Sequence, residues 1–359
     1  MYYPDQRHMM AWTTVRRDRM LPEGAVGTVE VRRGETVNLT DLVARGSLPA
    51  RYVYVEAAAA LRLRREADLI DRLLIELGET VSAGQPLASQ ADGRGRRVLS
   101  PANGVVAYIG RGRIIIQTQP EIVELQSGLV GTVTAVIPNR GATIEAYGAL
   151  VQGVWGNGRR AIGTLRKEPE DGLETISEDS IQREYSRAVV VTRRVLAAAT
   201  LDVIEAQQLG GVIAPSMDSA LLPRALTLNA AVLLTEGFGN LRIPPQVISL
   251  LDGFAGRPAM LDAHQPGRWD TVRVPEVFIN LPPKSSGHPP APDVHRALSV
   301  GATVRLTREP HAGWIGQVVE LPRTPQTLAS GLRMPCARLS LASGETVVVP
   351  LANLEFLGK

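Results

Sequence analysis

Short hydrophobic stretches that alternate with polar residues dominate the first half of the chain, and Gly-rich turns separate them. Residues 27–39 and 73–88 share a Gly-Glu-Thr-Val turn, and a third copy of this turn lies at residues 344–347. A period of two is typical of strands that bury one face. Residues 105–109 and 113–117 flank a Gly-Arg-Gly turn and predict a β-hairpin. We therefore expect mostly β-structure here, interrupted by one helical stretch.

That helical stretch covers residues 56–77, and the pattern changes again after Arg187. Continuous apolar segments at residues 188–192, 210–216 and 230–239 each precede a segment with a helical pattern. Strands that are apolar throughout and alternate with helices are typical of a parallel sheet covered on both faces. The sequence therefore predicts a small parallel α/β domain in the second half of the chain.

The C-terminal part begins with a segment rich in Pro, Ser and Gly, residues 281–296, which predicts an extended and semi-stiff linker. Residues 297–359 then return to the alternating pattern of strands. Because the linker is expected to isolate this last segment, we expect the rest of the chain to stay folded when residues 297–359 are deleted.

Together these patterns predict a multidomain, β-rich chain with one α/β domain, and 359 residues are enough for two to four domains. The predicted organisation is a poorly ordered leader (1–20), a first β domain (21–120), a second β unit (121–185), the α/β domain (186–280), the linker (281–296) and a C-terminal β module (297–359).

Composition narrows the range of partners. All but three of the 39 basic residues are arginine, which binds phosphates and carboxylates bidentately and so suits a nucleic-acid partner. A genomic bias toward arginine codons would produce the same excess. The net charge of +3 is too small for a general polyanion binder. Any nucleic-acid surface is therefore expected to be local.

Several classes of site are not expected. Cys336 is the only cysteine, which excludes an intrachain disulfide and a cysteine-based zinc or iron–sulfur site. The five histidines lack metal-binding spacing, and no Walker, kinase or Gly-x-Ser-x-Gly signature occurs. The first 20 residues carry charges throughout and have no apolar core of signal-peptide length, and no stretch approaches the roughly 20 apolar residues of a membrane helix. We therefore expect a soluble, cytoplasmic protein without metal, cofactor or membrane partner.

Two motifs lie close together in the first β domain. Residues 78–88 read Gly-x-x-Val-x-x-Gly-x-x-Leu-Ala, and residues 100–106 read Ser-Pro-x-x-Gly-x-Val. The matching residues are Gly78, Val81, Gly84, Leu87, Ala88, Ser100, Pro101, Gly104 and Val106. This segment resembles the barrel-sandwich hybrids of biotinyl and lipoyl carrier domains and of membrane-fusion adaptors. Such carriers modify a lysine, and residues 1–166 contain none, so the resemblance implies a structural or docking role.

The C-terminal module contains a longer set of motifs, which read Val-Gly-x-x-Val-x-Leu, Pro-x-Ala-Gly-x-x-Gly-x-Val and Leu-x-Asn-Leu. The matching residues are Val300, Gly301, Val304, Leu306, Pro310, Ala312, Gly313, Gly316, Val318, Leu351, Asn353 and Leu354. The module resembles the KOW modules of transcription elongation factors and ribosomal proteins, which are SH3-like barrels. The resemblance implies binding of RNA, ribosomal proteins or other protein partners.

The candidate partner-binding residues surround the glycine-containing loop of this module: Arg305, Arg308, His311 and Trp314. An arginine beside an aromatic ring suits base stacking and phosphate contact. A solvated Arg308 and a Trp314 that caps the barrel would fit the same sequence. We predict a non-catalytic scaffold or adaptor that binds RNA, or a ribosome- or transcription-associated protein, through the KOW-like barrel.

The alternative is a small-ligand sensor or enzyme that uses the α/β domain. Ligands bind at the carboxyl ends of strands in open α/β sheets. The residues expected at these ends are Arg193, Ser216, Asp218, Thr235, Glu236 and Gly237. Asp218 would equally serve as the cap of the following helix.

A Gly-rich stretch with two arginines, Gln152–Gly163, has the composition of a phosphate-binding loop. Such a loop needs a following helix, whose N-terminus faces the phosphate. The residues that follow have a strand-like pattern instead. We therefore favour a β-turn at this position.

Overall fold

The structure is a computed structural model that describes residues 5–90, 95–176, 181–265, 267, 273–282, 289–293 and 297–358. In the first half the strands are β1 (Asp5–Met20), β2 (Val26–Val29), β3 (Thr36–Val37), β4 (Leu42–Leu48), β5 (Tyr52–Val55), β6 (Thr80–Val81), β7 (Pro86–Ser89), β8 (Arg97–Leu99), β9 (Gly104–Gly110), β10 (Arg113–Gln117), β11 (Glu121–Gln126), β12 (Gly131–Ile137), β13 (Gly141–Gln152), β14 (Trp155–Gly156) and β15 (Arg160–Lys167).

In the second half the strands are β16 (Val189–Val191), β17 (Gly211–Met217), β18 (Ala231–Phe238), β19 (Pro258–Asp262), β20 (Glu276–Asn280), β21 (Thr303–Leu306), β22 (Ile315–Glu320), β23 (Gln326–Thr327), β24 (Arg333–Met334), β25 (Cys336–Leu341), β26 (Thr346–Pro350) and β27 (Leu354–Gly358). The α-helices of the described residues are α1 (Ala57–Ala60), α2 (Ala198–Ala206), α3 (Leu222–Thr227) and α4 (Pro245–Gly253). The 3₁₀ turns are Glu66–Arg72, Leu173–Thr175, Ser219–Leu221 and Leu351–Asn353.

One large sheet runs through most of the molecule. Its strand order is β14-β18-β17-β16-β15-β19-β20-β13-β1-β27-β21-β22-β25-β26. Smaller sheets, β5-β10-β9-β6 and β11-β4-β2 among them, complete the fold. The prediction of a β-rich chain with several sheets and few helices is confirmed. The assignments to a barrel-sandwich hybrid and an SH3-like barrel stay predictions.

The strands β15 to β18 are paired in parallel, as the continuous apolar segments predict. Alternate residues of β16 enter different cores. Val190 packs with α2 and α3, whereas Val189 and Val191 pack with α4. Helices therefore cover both faces of this part of the sheet, which explains why its strands are apolar throughout.

The N-terminal segment was expected to be a poorly ordered leader, but its described residues form the longest strand of the chain. β1 pairs antiparallel with β13 along most of its length, and its first residues pair in parallel with β27. Met10 and Val15 of this strand are buried. Three of its arginines, Arg7, Arg16 and Arg17, are paired with carboxylates of other strands. The charged sequence therefore does not prevent a strand at the centre of the sheet.

The segment between β4 and β11 folds as a unit of its own, which we call the insert module (residues 52–117). All the residues of its hydrophobic core come from within it, Leu61, Leu69, Leu87 and Ile114 among them. β9 and β10 form the predicted hairpin. The predicted helix at residues 56–77 is reduced to α1 and a 3₁₀ turn, because Arg62 adopts a left-handed φ of +54° and ends α1.

The last described segment, residues 297–358, forms the C-terminal module around its own core, which includes Val304, Leu339 and Phe356. The segment was expected to be isolated by a linker, but β27 joins it directly to β1. The predicted linker lies partly outside the described residues. Of the part that is described, Pro289 and Pro290 accept hydrogen bonds from the hydroxyls of Thr14 and Thr13, so this part follows β1.

Candidate functional site

The loop between β21 and β22, residues 307–314, carries most of the predicted partner-binding residues. Backbone hydrogen bonds from Gly313 N to Leu306 O (2.8 Å) and from Leu306 N to Trp314 O (2.9 Å) close the loop. Gly313 has φ of +82°, a conformation that glycine adopts without strain. The sequence therefore fixes a tight loop between two strands.

Aromatic and basic side chains project from this loop. Trp314 is 47% exposed, and its ring lies edge-on to the ring of His311, with the centroids 5.2 Å apart and the planes at 62°. Arg308 is exposed on the same loop. The structure therefore brings together Arg308, His311 and Trp314 as one solvent-facing group, which we call the barrel loop.

Arg305, the fourth predicted residue, faces the opposite way. It is 5% exposed, and its guanidinium is paired with Glu236 of β18 and with Glu355 of β27, the latter at 3.0 Å. Arg7 of β1 pairs bidentately with Glu355 and donates to the carbonyl oxygen of Thr235. We call Arg7, Glu236, Arg305 and Glu355 the buried ion network. It contains two charges of each sign and joins three parts of the fold.

The residues of the alternative site lie at the carboxyl ends of β16, β17 and β18. Two of them, Thr235 and Glu236, contact residues of the buried ion network. Glu236 pairs with Arg305, and Thr235 supplies its carbonyl oxygen to Arg7. Gly237 has φ of +105° and lies at an irregularity in the pairing of β17 with β18. Strands of the C-terminal module and the N-terminus therefore occupy the position where α/β sheets usually bind ligands.

The remaining residues of the alternative site also have contacts within the chain. The Ser216 hydroxyl donates to Leu241 O and accepts from Leu241 N, both at 3.1 Å. Asp218 caps the following turn by accepting from Ala220 N at 2.8 Å. Arg193 is paired with Asp252. Of the five described cavities, none is lined by these three residues or by Thr235, Glu236 or Gly237.

The largest described cavity lies elsewhere, between β1, β19 and β20, and has a volume of about 890 Å³. It contains a group of charged residues that the sequence analysis did not single out as a site. Asp262 and Arg273 also line an adjoining cavity, together with Arg160. We call the two cavities the arginine cleft and define it by Arg17, Arg19, Arg160, Asp262, Arg273 and Glu276. Arg160 belongs to the Gly-rich stretch that was considered as a phosphate loop, and it lies at the start of β15.

The ionisation of the arginine cleft reflects its burial and its charges. Burial, followed by the charge of Arg160, lowers the pKa of Arg19 to about 10, so this side chain stays protonated at neutral pH. Burial alone would raise the pKa of Asp262, but Arg160 and Arg273 outweigh it and hold that pKa below its ordinary value. Burial also lowers the pKa of His8, which lines the same cavity, and favours its neutral form.

In the described part of the chain, no three His, Cys, Asp or Glu side chains come together as a metal-binding group. None of the helices in the described ranges combines the length and the apolar character needed to cross a membrane.

A scan against protein-family models found no match to this chain, and a search of curated proteins found none either. The two resemblances stated from the sequence therefore stay predictions. The geometry of the barrel loop, the buried ion network and the arginine cleft is the basis for a functional proposal.

Proposed function

We propose that this protein is a non-catalytic adaptor that captures single-stranded RNA through the barrel loop of its C-terminal module. The observation that carries the proposal is the half-exposed indole of Trp314, which contacts His311 on a loop that also carries the exposed Arg308. We take the protein to act in the cytoplasm, as the sequence analysis predicts.

The chemistry of the barrel loop fits an unpaired nucleotide. Base stacking on an aromatic ring contributes about 1–3 kcal/mol per base and tolerates any base. Arg308 supplies a positive charge for the neighbouring phosphate. Edge-on contact with His311 holds the Trp314 ring in one orientation, which reduces the entropy that binding costs.

The non-catalytic part of the proposal is supported by the state of the α/β crevice. Its buried carboxylate, Glu236, is neutralised by Arg305 of the C-terminal module. Ser216 and Asp218 hold backbone groups of the loops that follow their strands. These polar groups are therefore used in joining and shaping the fold, and we do not assign them to a substrate.

A binding titration tests the proposal. The probe is a short, mixed-sequence single-stranded RNA with a fluorescent end label, and the measurement is its anisotropy as full-length protein is added. Trp314→Ala is expected to weaken binding by about 5- to 150-fold, the equivalent of one lost stacking contact. Arg308→Ala is expected to weaken binding less and to reduce its salt dependence.

The matched control is Arg323→Ala, because Arg323 is an exposed arginine of the same module outside the barrel loop. It is expected to bind RNA like the original protein. If the original protein does not bind the RNA, or if Trp314→Ala binds it equally well, the RNA proposal is wrong. Loss of a co-purifying protein from Trp314→Ala, without any RNA binding, would assign the loop to a protein partner instead.

A further inference from the structure

The floor of the arginine cleft is a row of polar residues on adjacent strands. Arg160 of β15 lies opposite Asp262 of β19, and Asp262 lies opposite Glu276 of β20. Residues in register on neighbouring strands share one face of a sheet. The carboxylates of Asp262 and Glu276 are therefore neighbours, at the end of β19 and the start of β20, where they attract the arginines around them.

Each of these carboxylates has arginine partners. Arg17 forms two hydrogen bonds with Glu276, at 2.6 and 2.7 Å. Asp262 is shared by Arg160 at 3.1 Å and Arg273 at 2.7 Å. The carboxylates of the cleft are thus fully engaged by three guanidinium groups, and one positive charge is already in excess.

Arg19 adds a further positive charge without a carboxylate of its own. Its Nε donates to the carbonyl oxygen of Ser127 at 2.7 Å, but its Nη2 is buried and has no hydrogen-bond partner among the described residues. The residue is only 3% exposed. Burying a guanidinium without a carboxylate bonded to it is costly, so this donor favours an anionic ligand that the described part of the chain does not supply.

The other described charges at the cleft have interactions of their own, and among them Asp293 acts on His8. Arg16 and Glu145 neutralise each other, and Asp18 accepts a hydrogen bond from the Thr143 hydroxyl. Arg16 and Asp18 alternate with Arg17 and Arg19 along β1, so they project from its other face. Among the described residues, the inner group therefore has four guanidiniums against two carboxylates, an excess of two positive charges that favours a dianionic ligand.

We propose that the arginine cleft binds a phosphate group that carries two negative charges, with Arg19 Nη2 as the innermost donor and Arg160 and Arg273 at the mouth. Arginine forks match phosphate oxygens in geometry as well as in charge. Such a group is either free inorganic phosphate or the terminal monoester of a larger molecule, for which a cleft of about 890 Å³ has room. Internal RNA phosphates carry a single charge, so this site is separate from the barrel loop and its proposed function.

The test uses full-length protein and two probes, inorganic phosphate and adenosine 5′-monophosphate, with ionic strength held constant by sodium chloride. Isothermal titration is expected to show saturable binding, and the thermal unfolding midpoint is expected to rise with either probe. Tighter binding of the nucleotide would identify a monoester ligand, whereas equal affinity would identify free phosphate.

Three variants locate the site. Arg19→Met is expected to weaken phosphate binding at least tenfold while leaving the phosphate-free unfolding midpoint equal or higher, because it removes an unneutralised buried charge. Arg160→Ala changes a partly exposed residue at the mouth and is expected to weaken binding at least tenfold. Arg338→Ala is the matched control, since the Arg338 side chain is 46% exposed in the C-terminal module and lines none of the five described cavities, and its affinity should not change.

The proposal is overturned if neither probe gives saturable binding beyond the chloride-matched blank, or if Arg160→Ala and Arg19→Met bind phosphate as tightly as the original protein. Should Arg19→Met fail to fold, the comparison of Arg160→Ala with Arg338→Ala decides the question alone.

Discussion

At the scale of single residues, the repeated Gly-Glu-Thr-Val turn shows how much a local motif determines by itself. Its first residue, Gly34, Gly78 or Gly344, has φ of +86°, +85° or +83°. In the first two copies the closing valine, Val37 or Val81, is 1% exposed. Distant parts of the chain therefore form the same turn because glycine alone adopts this backbone without strain.

Replacing Gly78 with alanine tests this explanation. No atom lies within 4 Å of the place that the new Cβ would occupy, so any cost comes from the backbone. A left-handed conformation costs other residues about 1–2 kcal/mol, and Gly78→Ala is expected to lower the free energy of unfolding in urea by that amount. Gly253→Ala, at the end of α4, also meets open space but without a positive φ, and it is expected to cost nothing. Equal losses in both variants would refute the backbone explanation.

The arginine cleft marks the limit of what single residues reveal. Arg17 and Arg19 lie in a charged N-terminal stretch that the sequence analysis assigned to a leader. Their partners, Glu276 and Ser127, are 259 and 108 positions away along the chain. Arg17 and Arg19 alternate with the exposed residues Arg16 and Asp18, but nothing in one sequence shows which distant residues bind them. Only the register of the strands brings these groups together.

At the scale of elements, prediction succeeds where a pattern is local and fails where a partner is distant. The β9–β10 hairpin and the parallel strands β16 to β18 follow from turn residues and apolar runs. The strand β1 does not, because its charged residues are compatible with a strand only once β13 and β20 are beside it. The partial loss of the predicted helix at residues 56–77 has the same cause, since the core of the insert module sets where that chain bends.

Arg305 joins strand β21 to the α/β part of the fold, because its guanidinium pairs with Glu236 of β18. Arg305→Met leaves the buried Glu236 carboxylate without its arginine. Removing one partner of a buried ion pair costs about 3–5 kcal/mol, and we expect a loss of that size in urea unfolding. Arg338→Met, in β25 of the same module, breaks an exposed pair with Glu320 and is expected to cost less than about 1 kcal/mol. A loss for Arg305→Met as small as that of Arg338→Met would show that the network does not stabilise the fold.

At the scale of the whole molecule, the two modules differ in how they are joined to the rest. The insert module has its own core, and its two ends meet where Arg51 and Thr118 exchange hydrogen bonds of 2.9 Å. The C-terminal module shares a sheet with β1 and completes the buried ion network. The proline-rich segment at residues 281–296 predicted instead that the C-terminal module would be separate from the rest of the chain. The sequence indicates where a linker lies but not that β27 returns to pair with residues near the other end of the chain.

Two deletions test this difference. Replacing residues 52–117 with a short Gly-Ser linker is expected to leave the main unfolding transition of the remaining chain within a few degrees, because its core loses no residue. Deleting residues 297–359 is expected to lower that transition markedly, since Arg7 and Glu236 lose their partners and the start of β1 becomes an unpaired edge. Calorimetry measures both midpoints, and hydrogen exchange of the β1 amides locates the effect. An unchanged midpoint and unchanged β1 protection after the second deletion would mean that the C-terminal module is only tethered and that the buried ion network contributes no stability.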